Sequence, residues 1–237
     1  MVPLEFGLRA KSASTRISAD FVLCVSLKRI QFRTLPTGIR LPTPELYRTC
    51  WRRIRSMACL VRSKSNGSAT MNLYLLRHGL AVEAGTSEYS KDSERPLTPK
   101  GERKLWKIAE AMEDMELSFD WILSSPYVRA RQTAQIVAEA LSLRKKLEIT
   151  ETLTPAGSTK KLVESIHQKQ PSPKDILLVG HEPYLSELIS LLVSGHNELA
   201  ISMKKGGLCN LAIEALEYGR CARLDFLLTP KQMCLMA

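Results

Sequence analysis

Three short segments set polar, chemistry-bearing residues directly after apolar runs: Leu76-Arg77-His78-Gly79, Ser124-Ser125-Pro126 leading to Arg129, and Gly180-His181-Glu182-Pro183. The chain has only 4 histidines, so two of them at such junctions is a concentration of one chemistry. Arginine presents a planar fork that matches phosphate oxygens in a bidentate way and stays charged at physiological pH. A neutral imidazole is nucleophilic near pH 7, and its attack on phosphorus makes a phosphohistidine that water can cleave. Arg77 and Arg129 beside His78 therefore point to a phosphoryl ligand. His181 would donate hydrogen bonds to the equatorial oxygens, where charge spreads in the transition state. The other two histidines, His167 in a Lys-rich stretch and His196 in a polar loop, read as structural.

The elements that must hold these residues can be read from periodicity. Asn72 to Leu76, Trp121 to Leu123 and Ile176 to Val179 are short apolar runs bounded by polar turns, as buried strands are. Thr98-Pro99 reads as an N-cap followed by the first helical position. Leu105, Ile108, Ala109, Met112 and Met115 then recur at spacings of three and four, predicting a helix to about Glu116. Ala130, Ala134, Val137 and Leu141 mark a second helix, Lys160 to Gln168 a third and Leu185 to Val193 a fourth. Alternation of strands and helices predicts an α/β fold, a mostly parallel sheet covered on both faces. Leu208 to Glu217 and Ala222 to Leu228 read as strands joined by a turn at Tyr218-Gly219, closing the sheet with an antiparallel edge. In such sheets ligands bind outside the carboxyl ends of the strands. The three polar turns are expected to converge there.

Charge is distributed unevenly. The formal net charge is +10, yet residues 1–70 hold 13 Lys and Arg against 3 Asp and Glu, leaving 21 of each sign in residues 71–237. A domain surface that binds nucleic acid along its length is therefore not expected, and any electropositive site must be a local cluster of arginines. The longest apolar runs fall far short of the roughly 20 residues of a membrane-spanning helix, so no membrane partner is expected. The 6 cysteines form no C-x-x-C pair and no zinc-like spacing, and read as reduced and unligated.

Residues 1–70 are rich in Arg, Ser and Thr, poor in acids, and broken by Pro36, Gly38, Pro42 and Pro44. No strand or helix period persists through them. This composition predicts a disordered basic extension of the kind that serves as an organelle transit peptide, with the chloroplast as the expected destination and the mitochondrion or cytoplasm as alternatives. Met57 and Met71 are also plausible translation starts. The folded domain is expected over residues 71–237.

The Leu-Arg-His-Gly segment, the run from Ser124 to Ala134 and Val179-Gly180-His181-Glu182-Pro183 together resemble the histidine phosphatase superfamily. Arg95-Pro96-Leu97-Thr98-Pro99-Lys100-Gly101 resembles its SixA-type phosphohistidine phosphatases, especially those of photosynthetic lineages. The resemblance implies a three-layer α/β/α sandwich like that of phosphoglycerate mutases. It also implies His78 as nucleophile, Arg77 and Arg129 on the phosphoryl group, and His181 completing the pocket. Asp92 and Arg95 would lie near substrate. Lys204-Lys205-Gly206-Gly207 reads as an exposed turn, and Arg131 as pointing elsewhere on its helix.

Neither a metal nor an organic cofactor is implied, since Arg and His supply the charge. Glu182 stands where another branch of the superfamily carries its proton donor, but a carboxylate at a helix start explains it equally well. An alkoxide leaves poorly without a proton, whereas an imidazole can leave already protonated. The expected partner is accordingly a protein carrying phosphohistidine, with a small phosphorylated metabolite or a non-catalytic phosphate-binding role as alternatives.

Overall fold

The computed structural model of the chain describes residues 71–85 and 89–237. The expectations for the basic extension over residues 1–70 lie outside the described residues. From Met71 onward the chain runs β1 (Met71–Arg77), α1 (Pro99–Asp114), β2 (Trp121–Ser124), α2 (Val128–Ala140), β3 (Leu147–Ile149) and α3 (Thr159–Gln168). It continues through β4 (Asp175–Gly180), α4 (Tyr184–Ser194), β5 (Leu208–Ile213), β6 (Ala222–Leu228) and a single turn, α5 (Pro230–Met233).

The six strands form one sheet in the order β3-β2-β4-β1-β5-β6. The pairs β2 with β3, β2 with β4 and β1 with β4 are parallel, and β5 runs antiparallel to both β1 and β6. Because side chains alternate along a strand, each central strand feeds two cores. Tyr74, Leu76, Ile122, Leu177 and Val179 pack with Leu105, Ile108 and Met112 of α1 and with Ala130, Ala134 and Val137 of α2. Leu73, Leu75, Leu123, Ile176 and Leu178 pack on the opposite face with Leu162 and Ile166 of α3 and Leu185, Leu188 and Ile189 of α4. The result is the three-layer α/β/α sandwich expected from the pattern.

The helix start read at Thr98-Pro99 is formed. Thr98 Oγ1 accepts the Gly101 N–H at 3.0 Å, and Pro99 opens α1. Gly195 ends α4 in the left-handed conformation at φ 86°. Two details differ from expectation. β5 stops at Ile213 instead of reaching Glu217, and β3 is an edge strand of three residues that the pattern did not reveal. Among the described residues no helix is long and apolar enough to cross a membrane.

Candidate active site

Register brings the three polar turns together at one end of the sheet. Arg77 lies opposite Gly180, and Ser124 opposite Val179. The ladder continues one residue further: the His78 N–H donates to the Gly180 carbonyl at 3.1 Å, and the Ser125 N–H to the Val179 carbonyl at 3.0 Å. His78 and His181 therefore leave adjacent parallel strands side by side, with ring centroids 5.0 Å apart. Arg129 arrives from the first turn of α2, placing its Nε 3.3 Å from His78 Nε2. His78, Arg129 and His181 are all buried, at 6%, 4% and 1% exposure.

The state of His78 follows from one bond. Its Nδ1 lies 2.8 Å from the Gly79 carbonyl, which can only accept, so Nδ1 carries the hydrogen of the neutral ring. Nε2 is left with the lone pair. Burial drives the His78 pKa down to about 3, the charges of Arg129 and Arg77 and the nearby His181 add to that, and the bond to Gly79 opposes it. His181 also falls to about 3, chiefly by burial and then through Arg129. Both rings are neutral at pH 7.

Arg77 reaches the Met203 carbonyl through one guanidinium nitrogen at 2.6 Å, while its Nε is buried with no partner among the described residues. Burial lowers its pKa and Glu182 counteracts this. Arg129 bonds Asp92 twice, through the backbone carbonyl at 2.5 Å and the carboxylate at 2.8 Å. Arg95 grips the other Asp92 oxygen and donates to the Val82 carbonyl at 2.6 Å. Partial burial would raise the Asp92 pKa, but the bonds from Arg129 and Arg95 outweigh it and hold the carboxyl below its usual range. Asp92 thus ties Arg95 and the buried Arg129 into one cluster.

Glu182 is brought to the same end, next to His181. Ser186 donates to its Oε2 at 2.5 Å, whereas Oε1 is buried with no partner among the described residues. Burial raises its pKa despite the Ser186 bond and the charge of Arg77. The sequence-read residues Arg77, His78, Arg129, His181, Asp92, Arg95 and Glu182 are therefore all brought to one end of the sheet. Arg131 is exposed, and His167 bonds the Leu216 carbonyl.

Other residues of the site carried no earlier assignment. Thr133 Oγ1 accepts the Gly79 N–H at 3.1 Å and donates to the Arg129 carbonyl at 2.7 Å, locking the loop after His78 onto α2. The fully buried Ser125 places its Oγ 2.9 Å from His181 Nε2. The Tyr127 ring lies 4.9 Å from that of His181 and 5.1 Å from the Arg129 guanidinium carbon. Ser125, Tyr127 and Thr133 all fall within the run around Arg129, which was the available signal. The Lys204-Lys205 turn is also attached to the site, because the Gly206 N–H donates to the carbonyls of Arg77 and His78 at 3.0 and 3.1 Å.

Paired neutral histidines flanked by two arginines at the ends of parallel strands can accept and transfer a phosphoryl group. Residues 73–155 match the model of the histidine phosphatase superfamily (branch 1). A phosphohistidine phosphatase SixA homolog of Haemophilus influenzae is 31% identical over 138 residues, covering 55% of this chain and 82% of that protein. The chain belongs to the histidine phosphatase superfamily. An uncharacterised member from Picosynechococcus sp. is 36% identical over 142 residues, covering 60% of this chain and 84% of its own. Among solved structures, the protein histidine phosphatase SixA complexed with tungstate superposes with a TM-score of 0.59 at 22% identity, over 69% of this chain and 99% of that one. That likeness extends the histidine phosphatase fold to the whole of the smaller protein.

Proposed function

We propose that the chain is a metal-independent phosphatase that works through a phosphohistidine at His78 and removes phosphate from phosphohistidine in a protein partner. The observation that carries this reading is the Nδ1–H bond of His78 to the Gly79 carbonyl, which leaves the Nε2 lone pair beside Arg129 and His181. In the first step Nε2 attacks phosphorus, the P–N bond of the substrate breaks, and its electron pair returns to the leaving imidazole, which already carries or takes up a proton. Water then attacks the phosphorus on His78 and releases inorganic phosphate. Arg77 and Arg129 meet the charge on the equatorial oxygens.

A second reading, hydrolysis of a small phosphate ester, is favoured by one observation. The raised pKa and unpartnered Oε1 of Glu182 suit a proton donor to an alkoxide. Rates on a phosphohistidine peptide and on an alkyl phosphate separate the two. The phosphohistidine reading expects much faster turnover of the peptide, and expects Glu182→Gln to spare it. Equal or reversed preference, with ester turnover lost in Glu182→Gln, would favour the ester.

For residues 1–70, composition supports a proposal of targeting to the chloroplast. Mass spectrometry of the mature protein tests it, and a native N-terminus near Met1 would contradict it.

A further inference from the structure

His181 Nε2 lies 2.9 Å from Ser125 Oγ, and its Nδ1 is buried with no partner among the described residues. The same Ser125 oxygen accepts the Tyr127 N–H at 3.3 Å. The ring is neutral, so one nitrogen carries a hydrogen and the other a lone pair. Were the hydrogen on Nε2, that nitrogen would donate to Ser125. The serine hydroxyl hydrogen and the Nδ1 lone pair would then both be buried without a partner.

With the hydrogen on Nδ1, the serine hydroxyl donates to Nε2. Only one buried group is then unsatisfied, and it is an N–H donor. Leaving two buried polar groups unmatched costs more than leaving one, so the second arrangement is favoured. It also suits the ligand, because a phosphoryl oxygen can satisfy an N–H and would be repelled by a lone pair.

We propose that Ser125 is a positioning residue that holds His181 in the Nδ1–H tautomer, so that the ring offers the phosphoryl group a hydrogen-bond donor. This rests on the reading of His181 as the second histidine of the phosphoryl pocket. Ser125 is suited to the task because its backbone is fixed to β4 by the bond to Val179 and its hydroxyl is wholly buried. Tyr127 fills one of the oxygen's acceptor sites, and the hydroxyl hydrogen is turned toward the imidazole. The side-chain bond that Ser125 makes toward the site is to His181, and it acts through that ring.

Long-range proton–nitrogen NMR of the 15N-labelled full chain near pH 7 reads the tautomer of each histidine, with His181→Gln assigning the signals. The expected result is His181 protonated on Nδ1 with a bare Nε2. Ser125→Ala should shift the hydrogen toward Nε2 and lower kcat on phosphoramidate roughly tenfold or more, with KM little changed. Ser125→Thr, which keeps the hydroxyl, should restore both.

A wild-type His181 protonated on Nε2 overturns the proposal, whatever the variants do. So does a folded Ser125→Ala protein that keeps the wild-type tautomer and kcat. The tautomer is read in the free protein. A chain with the Nδ1–H form that turned over no phosphoramidate would therefore refute the phosphohistidine reading while upholding the hold of Ser125 on the His181 tautomer.

Discussion

At the scale of single residues, the site works by keeping its imidazoles neutral. His78 and His181 both have pKa values pulled down to about 3, against an ordinary value near 6.5. In an unfolded chain they would take up protons as pH falls through 6.5, while the folded protein resists until about 3. Since the unfolded state binds more protons in that window, these two groups make the native state less stable as pH drops from 6.5 toward 3, and add no slope above it. Urea unfolding at stepped pH should show this loss, and His78→Ala should make it shallower. The forked geometry of Arg129 is equally specific. It engages His78 and Asp92 through all three guanidinium nitrogens, so Arg129→Lys should lower kcat/KM by about a hundredfold although the charge is kept. Steady-state kinetics on phosphoramidate measure it.

At the scale of elements, the strands and long helices were legible because each obeys a simple period. Leu105, Ile108 and Met112 line one face of α1, and β1, β2 and β4 are apolar runs ending in polar turns. β3 was not legible: Leu147-Glu148-Ile149 is too short to show a period and pairs on one edge only. β5 ends early because the chain bends after Ile213, which hydrophobicity alone does not signal. The convergence of His78, Arg129 and His181 was legible from their places after strands. The roles of Ser125, Thr133 and Gly206 were not, because they depend on register and on backbone groups that carry no sequence label. One glycine of the Arg95–Gly101 run does have a physical account. A Cβ on Gly101 would sit 2.2 Å from the Leu80 carbonyl oxygen, so α1 can lie against the loop that follows His78 only if this residue has no side chain. Gly101→Ala should therefore destabilise the fold by about 1–3 kcal/mol, as overpacking does, and depress kcat together with it. Thermal unfolding monitored by circular dichroism would register the first effect.

At the scale of the whole molecule, the sandwich gathers charge in one place while the folded part stays balanced in sign. The 21 basic residues of positions 71–237 are matched by 21 acidic ones, yet Arg77, Arg95 and Arg129 cluster at the strand ends. The positive field at the strand ends is thus built from side chains. Activity is expected to be unchanged after exhaustive EDTA treatment, and a loss restored by a divalent cation would contradict this. Asp92 joins Arg95 to the buried Arg129 beside His78, so these two arginines are held by one carboxylate.

The central claim is that His78 Nε2 carries the phosphoryl group, and the most direct measurement is turnover of phosphoramidate by the full chain with His78 replaced by alanine. The expected result is a fall in kcat of at least about a thousandfold with the fold intact, and a base-stable, acid-labile phosphate on the His78 peptide of the quenched wild-type protein. Turnover by His78→Ala at the wild-type rate would contradict it.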